Sequence, residues 1–307
     1  MCDTECHRIS VDRNHQRTAE NETEFELFSD RYQRRFSNYQ LVDRLRFQPG
    51  PDTPVLNWNH MKDLLLSTDL SRAQELDWID QGELRFLDGE GISGQEVAFQ
   101  SFPRTGNSMM RKFLETATGI YTSSDMSLDI TIMQQVAGLQ GEELADTNLT
   151  WIKKTHWPHP MTWREKFHAQ KMLVVVRNPI DVFPSVAGLI NTCSHSMVPQ
   201  KPYNELDFWG KFLAVSSRHL DGNFQEVKKL SETIPTFYVR FEDMRTDPAT
   251  VLCEVFRFLF EVESIEGTVL EKRILEKCCS KNQPKAVYKL KSNSASLSRN
   301  AHLYNDE

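Results

Sequence analysis

Three short segments of this 307-residue chain combine cations, hydroxyls and a histidine in ways suited to holding an anion and moving a proton. The first is Ser101-Phe102-Pro103-Arg104-Thr105-Gly106-Asn107-Ser108-Met109-Met110-Arg111. It follows the apolar run Val97-Ala98-Phe99 and precedes Met110, Phe113, Leu114 and Ala117, which share the spacing of one helix face. Strand, tight glycine loop and helix, in that order, aim backbone N–H groups and the positive end of a helix dipole at one small volume. That layout suits an anion of phosphate type. Arg104 adds a permanent charge, and Thr105 and Ser108 add hydroxyl donors. The same residues also suit an ordinary strand-to-helix turn with an N-capping Asn or Ser. A single glycine and the lack of a following lysine exclude the G-x-x-x-x-G-K-[S/T] pattern.

The second segment, Val176-Arg177-Asn178-Pro179-Ile180-Asp181-Val182-Phe183-Pro184-Ser185, repeats that logic. A buried strand ends at Arg177, Asn178 is an N-cap, Pro179 fits the first helical position and Asp181 lies in the first turn. Arg177 and Ser185 then stand near a strand-helix junction, where they could hold a second anionic group. Alternatively, Arg177 pairs with Asp181 or Glu242 and Ser185 is merely a helix residue. The third segment runs from Trp151 to Pro160 and carries Lys153-Lys154-Thr155-His156. A histidine at a strand's carboxyl end beside Lys154 can act as a general base near neutral pH, or serve only in packing. His159, between two prolines, is read as a packing or surface residue.

The elements that must position these residues alternate from residue 95 onward. Strands are expected at 96–101, 150–154, 172–177 and 236–241. Helices are expected at 107–118, 180–192, 205–230, 249–260 and 265–280. Met172 to Val176 is continuously apolar, as in a strand buried on both faces of a parallel sheet. Asp247-Pro248 starts a helix whose stripe is Leu252, Val255, Phe256 and Leu259. The pattern predicts an α/β fold, a three-layer sandwich with a central parallel sheet, whose ligands lie at the strands' carboxyl ends. Residues 1–24 are expected to be a disordered tail and 25–92 an N-terminal extension packed on the main domain. That extension includes a helix near Trp58 to Leu70 and a hairpin signal at Leu84 to Gly89. Residues 93–307 form the main domain.

Composition narrows the class. The chain is 39% hydrophobic and 26% charged with a net charge of −7, which is ordinary for a globular protein and argues against nucleic acid as a partner. No run approaches the ~18 apolar residues of a membrane span. The polar N-terminus has no apolar signal region and Cys2 occupies the myristoylation position, so a cytoplasmic location is expected. Six scattered cysteines make neither a disulfide framework nor a metal site, and Cys278-Cys279 is read as a small packed pair.

Taken in order, the segments resemble the sulfotransferase family. Pro103-Arg104-Thr105-Gly106-Asn107-Ser108 is similar to its 5′-phosphosulfate loop, and Lys154-Thr155-His156-Trp157-Pro158 to its K-T-H-x-P segment. Arg177-Asn178-Pro179 with Asp181 and Ser185 is similar to its 3′-phosphate element, and Phe241-Glu242-Asp243-Met244 with Asp247-Pro248 to a later Y-E-D segment. The resemblance covers about residues 95–260. It implies a P-loop-like sulfotransferase fold and the donor 3′-phosphoadenosine-5′-phosphosulfate (PAPS), with no metal. Arg104, Thr105, Gly106, Asn107, Ser108 and Met109 would meet the 5′ end of the donor. Arg177 and Ser185 would hold the 3′-phosphate, and Phe241 would be a further donor-binding residue. His156 would be the base, and Lys154 and Arg104 would stabilise charge on the transferred group. The acceptor would be a hydroxyl or amine of a small molecule or carbohydrate.

The chain departs from the family at several of these positions. Arg104 stands for the lysine usual in cytosolic members, Met109 for a tryptophan and Phe241 for a tyrosine. The C-terminal R-K-G-x-x-G-D-W-K segment is absent, and Lys289 and Lys291 are the candidates to replace its 3′-phosphate contacts. A catalytically silent nucleotide-binding or scaffold protein and a P-loop nucleotide kinase are the alternative readings. Trp157, Phe208 and Trp209 are either core or acceptor-pocket aromatics. The sequence leaves the acceptor and the oligomeric state open.

Overall fold

The computed structural model describes residues 50, 52–126, 131, 134, 138–158, 168–192, 209–279 and 304. Eight strands lie among them: β1 (Val55–Leu56), β2 (Phe86–Leu87), β3 (Val97–Ser101), β4 (Ser123–Ser124), β5 (Gly141–Glu142), β6 (Ile152–Thr155), β7 (Lys171–Val176) and β8 (Thr236–Arg240). The helices used below are α1 (Trp58–Leu66), α2 (Asp77–Asp80), α3 (Asn107–Thr118), α4 (Pro179–Thr192), α5 (Trp209–Ser231), α6 (Phe241–Thr246), α7 (Pro248–Phe260) and α8 (Val269–Arg273). Strands β3 to β8 form one sheet in the order β5-β4-β6-β3-β7-β8, with every pair parallel.

Alternation along the central strands builds a layer on each face. Val97, Phe99, Leu173 and Val175 meet α1, α3, α7 and α8 through Leu65, Leu114, Phe256 and Leu270. Ala98, Met172 and Val174 face the other way, onto Val227 of α5 and Ile234 beyond it. The fold is thus a three-layer α/β sandwich. Each fully buried leucine here contributes about 2 kcal/mol. Trp58 of α1 lies 4.5 Å, centroid to centroid, from Trp151, which lies 4.9 Å from Phe260, so α1 belongs to the same core as the sheet. Cys278 is buried in that core with Cys279 packed against it.

The structure differs from the sequence expectation in several places: Phe241, expected to end a strand, opens α6, and the helix expected at 265–280 is the shorter α8, followed by a wider turn over Ile274–Cys278. Leu84 to Gly89 makes no hairpin: β2 pairs in parallel with β1, Val55 beside Phe86 and Leu56 beside Leu87. Gly89 turns the chain without returning it, and Leu87 N–H donates to the Leu149 carbonyl. The two-residue strands β4 and β5 have no counterpart in the expectation, because Ser123-Ser124 and Gly141-Glu142 carry no apolar alternation. Residues 1–24 lie outside the described residues.

This topology determines where a site can form. From β3 the chain runs through α3 to β4, two places away, returns through β6 on one side of β3, and then takes β7 on the other side. Winding reverses at β3, and in parallel sheets a crevice opens at the carboxyl ends beside such a reversal. Registers pair Gln100 with Thr155, Ser101 with Val175 and Val176 with Arg240, so the residues just beyond these strands emerge side by side.

The opposite end of α3 is anchored by Arg273. Its guanidinium donates to the carbonyls of Ala117 and Thr116, both at 3.0 Å, and pairs with Asp80 at 3.3 Å. A cation at a helix C-terminus also suits the dipole. Arg273→Met leaves those carbonyls unpaired and should lower unfolding free energy by about 2–4 kcal/mol. Urea denaturation checks this, and an unchanged midpoint would remove the anchoring role.

Candidate functional site

The loop after β3 is a tight turn closed by its own residues. Both the N–H and the hydroxyl of Thr105 donate to the Phe102 carbonyl, the hydroxyl at 2.8 Å. Gly106, not Asn107 or Ser108, is the N-cap of α3, with φ of +105°. Met109 and Met110 N–H both donate to the Gly106 carbonyl at 3.1 Å. The N–H groups of Gly106, Asn107 and Ser108 therefore precede the first intrahelical bond and face outward from the helix end. Arg104 has φ of +70°, a left-handed conformation that costs a non-glycine residue on the order of 1–3 kcal/mol.

The second loop meets the first. Arg104 Nε donates to Ser185 Oγ at 3.0 Å, and Arg177 Nη1 donates to the Arg104 carbonyl at 3.1 Å. The Arg177 guanidinium lies 4.3 Å over the ring of Phe241, the first residue of α6 after β8. The same ring fills the space above Gly106, where a Cβ would approach Phe241 Cδ2 to 2.4 Å. Asn178 caps α4, its Oδ1 accepting from Ile180 N–H at 3.0 Å. Glu242 accepts from the Asn178 N–H at 3.0 Å.

His156 follows β6 and is 7% exposed. Its Nδ1 approaches the Ser101 carbonyl, which can only accept, so Nδ1 carries the proton and Nε2 is the basic nitrogen. Ser101 Oγ lies 3.3 Å from Nδ1 and accepts from Asn107 Nδ2 at 2.9 Å. One short chain of contacts thus links the start of α3 to the imidazole.

Beneath these groups lies a buried set of charges. Arg111 of α3 pairs with Glu142 of β5, both side chains fully buried, and donates to the Thr122 hydroxyl at 2.7 Å and its carbonyl at 3.0 Å. The Thr122 hydroxyl in turn donates to Glu115 at 2.7 Å. Lys154 is 1% exposed, with Nζ against the sulfur of Met126. Burial lowers its ammonium to about 8 despite the attraction of Glu142 and Asp125. Asp125 accepts from the Thr155 hydroxyl at 2.6 Å, and burial raises its carboxyl to about 7.

A family model described as Sulfotransferase domain matches residues 55–302. The chain belongs to the sulfotransferase family. Among solved structures this sulfotransferase-family chain is similar to mouse sulfotransferase SULT7A1 complexed with PAP, at 13% identity and a TM-score of 0.37. That likeness covers 58% of this chain and 62% of the mouse chain, less than two thirds of its length. No curated protein matches. No helix among the described residues is long and apolar enough to cross a membrane.

The structure brings Arg104, Gly106, Arg177, Ser185 and Phe241 into direct contact and sets Asn107 and His156 on a shared chain of contacts through Ser101. Ser108 is half-buried at the start of α3. Met109 packs in the main core, and Trp157 and Trp209 lie in core clusters on the other face. Lys289, Lys291, His159 and Phe208 lie outside the described residues. Sequence reasoning overlooked Ser101, Asp125, Arg111 and Glu142. Their only signal was polarity at strand ends and on a helix, which solvent exposure explains equally well.

Gly106→Ala should cost about 2–4 kcal/mol, from the strained φ and the displaced Phe241 ring. In a Phe241→Leu background the cost should fall by roughly 1 kcal/mol, a double-mutant cycle in urea being the measurement. Asp125 gives a pH signature. Its unfolded carboxyl titrates near 4 and its folded one at about 7. Between those values the folded state holds a proton that the unfolded state has released, so this group's contribution to stability falls as pH rises from about 4 to about 7. Asp125→Asn should remove that decline from the melting temperature–pH curve; parallel curves for the two proteins would refute the shift.

Proposed function

We propose that this sulfotransferase-family protein moves a sulfuryl group from PAPS to a hydroxyl or amine. The observation that carries the reading is the meeting of Arg104, Arg177 and Ser185 at the carboxyl ends of β3 and β7, with the basic nitrogen of His156 at the end of neighbouring β6. The donor has an anion at each end of an adenosine, and the chain offers cations on two adjoining loops. The fit is supported by the outward N–H groups of Gly106, Asn107 and Ser108 at the start of α3. When bound, the donor supplies a sulfuryl group on a phosphate leaving group.

In this reading Arg104 and the N–H groups of residues 106–108 bind the 5′-phosphosulfate. Arg177 and Ser185 bind the 3′-phosphate, with Phe241 holding the Arg177 plane. Lys289 and Lys291 are further candidates for the 3′ end, and Met109 for the adenine side. Thr105 supports the turn, since its hydroxyl is committed to Phe102. His156 Nε2 accepts the acceptor's proton as its oxygen or nitrogen bonds to sulfur. Arg104 opposes negative charge on the transferred group and on the departing oxygen, and Lys154, buried beneath the site against Met126, adds to that positive field. Positioning and fixed electrostatics supply most of the acceleration, as in phosphoryl transfer, and no metal is needed. The acceptor is a small molecule or carbohydrate, and the site operates in the cytoplasm.

Thermal stabilisation by 3′-phosphoadenosine-5′-phosphate tests the donor site. At a hundredfold excess over the dissociation constant it should add about 2.7 kcal/mol, and Arg177→Ala should lose most of that. His156→Ala should keep the stabilisation but lose about 10²–10⁴-fold in transfer of radiolabelled sulfate from PAPS across phenols, alcohols, amines and sugars. No response to the bisphosphate overturns the donor assignment. Binding without transfer to any acceptor points to the silent nucleotide-binding protein instead.

A further inference from the structure

The turn that carries His156 is held on both sides by groups that the family motifs do not include. The Thr155 hydroxyl donates to Asp125 Oδ2 at 2.6 Å, and its oxygen accepts from the Trp157 N–H at 2.9 Å. The Trp157 carbonyl accepts from Gln100 Nε2 at 3.0 Å and Asn223 Nδ2 at 3.3 Å. The peptide groups flanking His156 are therefore tied to the end of β4, to β3 and to α5. All five residues are buried.

We propose that Asp125 is a positioning residue for His156, acting through Thr155 to hold the turn from which the imidazole projects; this deepens the reading of His156 as the proton acceptor. Above about pH 7, where Asp125 is ionised, its carboxylate can only accept, so the Thr155 hydrogen points to Asp125 and a lone pair is kept for the Trp157 N–H. A neutral polar residue at 125 leaves that direction unspecified. A buried carboxylate is costly, yet an amide of the same shape would satisfy packing alone. Asp125 Oδ1 makes no hydrogen bond among the described residues and instead lies in the field of Lys154 from β6. Glu142 of β5 opposes that field, and Arg111 of α3 pairs with Glu142. With Nδ1 held by the Ser101 carbonyl and the backbone held through Asp125, both the place and the tautomer of the ring are specified.

The test reads the imidazole itself, so it needs no acceptor. Nitrogen and carbon NMR on the full chain with labelled histidine follows the His156 ring, assigned as the signal missing in His156→Gln. The wild type and Thr155→Ser should show one Nδ1-protonated tautomer. Thr155→Val, which replaces the hydroxyl with a methyl group of similar size, should show a mixed tautomer population and at least a threefold change in the His156 ionisation constant. Unchanged His156 signals in a folded Thr155→Val overturn the proposal. If Thr155→Val does not fold, Asp125→Asn replaces it: a shifted His156 titration restricted to that variant supports positioning, and a wild-type titration overturns it. Absence of stabilisation by 3′-phosphoadenosine-5′-phosphate in the wild type would sink the donor reading alone, leaving the NMR outcome to stand or fall separately.

Discussion

The space above the α carbon of Gly106 is occupied by the ring of Phe241, and the arrangement of the candidate site depends on that contact. A Cβ at 106 would meet the ring at 2.4 Å. Because there is none, the end of β8 closes onto the end of β3, across the intervening β7. The other face of the constraint is the guanidinium of Arg177, 4.3 Å over the same ring, where a cation gains from the aromatic quadrupole. Phe241 therefore spaces three strand ends at once. A hydroxyl on that ring is not needed for this spacing, so phenylalanine in place of tyrosine preserves the geometry described here.

A second constraint works from below. Arg111 and Glu142 form a fully buried pair, and Lys154 and Asp125 are buried beside it. Buried ion pairs rarely add net stability, because desolvation offsets much of their attraction. They do specify geometry, since a partner lost from such a set leaves a charge unpaired. Here the set joins α3, β4, β5 and β6, elements whose strands are too short to be located by their own ladders. Two-residue strands have little register of their own, and Arg111, bonded at once to Thr122 and Glu142, supplies it.

The parts of the fold that were legible from sequence are those in which burial writes a period. Met172 to Val176 reads as a strand closed in on both faces, and Met172 to Val175 are buried, with Val176 half-buried at its end. Helix α3 spans Asn107–Thr118, and the stripe Leu252, Val255, Phe256 and Leu259 of α7 is wholly in the core. The loops after β3 and β7 were legible because each sets an arginine and a proline beside a helix start, with Gly106 turning the first and Asn178 capping the second. The illegible parts are polar residues made interior by distant chain. Arg111 and Glu115 lie off the apolar stripe of α3, and nothing in the sequence marks them as interior, yet both are buried. Phe86-Leu87 read as one arm of a hairpin because local turn residues follow it, whereas its partner, Val55-Leu56, lies some thirty residues earlier and runs parallel. Ser101 and Asp125 offered only polarity at strand ends, since their importance comes from what β6 places beside them.

Arginine at position 104 acquires a reason from the contacts between loops. Its Nε donates to Ser185 while its carbonyl accepts from Arg177, so one residue joins the turn after β3 to α4 and to the end of β7. A lysine has a single nitrogen at the tip of a flexible stem, and it would have to reach either Ser185 or an anion in front of the loop. Guanidinium has donors at three nitrogens in a fixed plane, so anchoring through Nε sets the direction in which the terminal pair faces. That anchoring also bears on the left-handed backbone at Arg104, whose cost must be met by contacts made elsewhere. The Ser185 and Arg177 bonds are two such contacts. In this chain the loop cation is therefore part of the scaffold, and the loops after β3 and β7 behave as one unit rather than as separate halves.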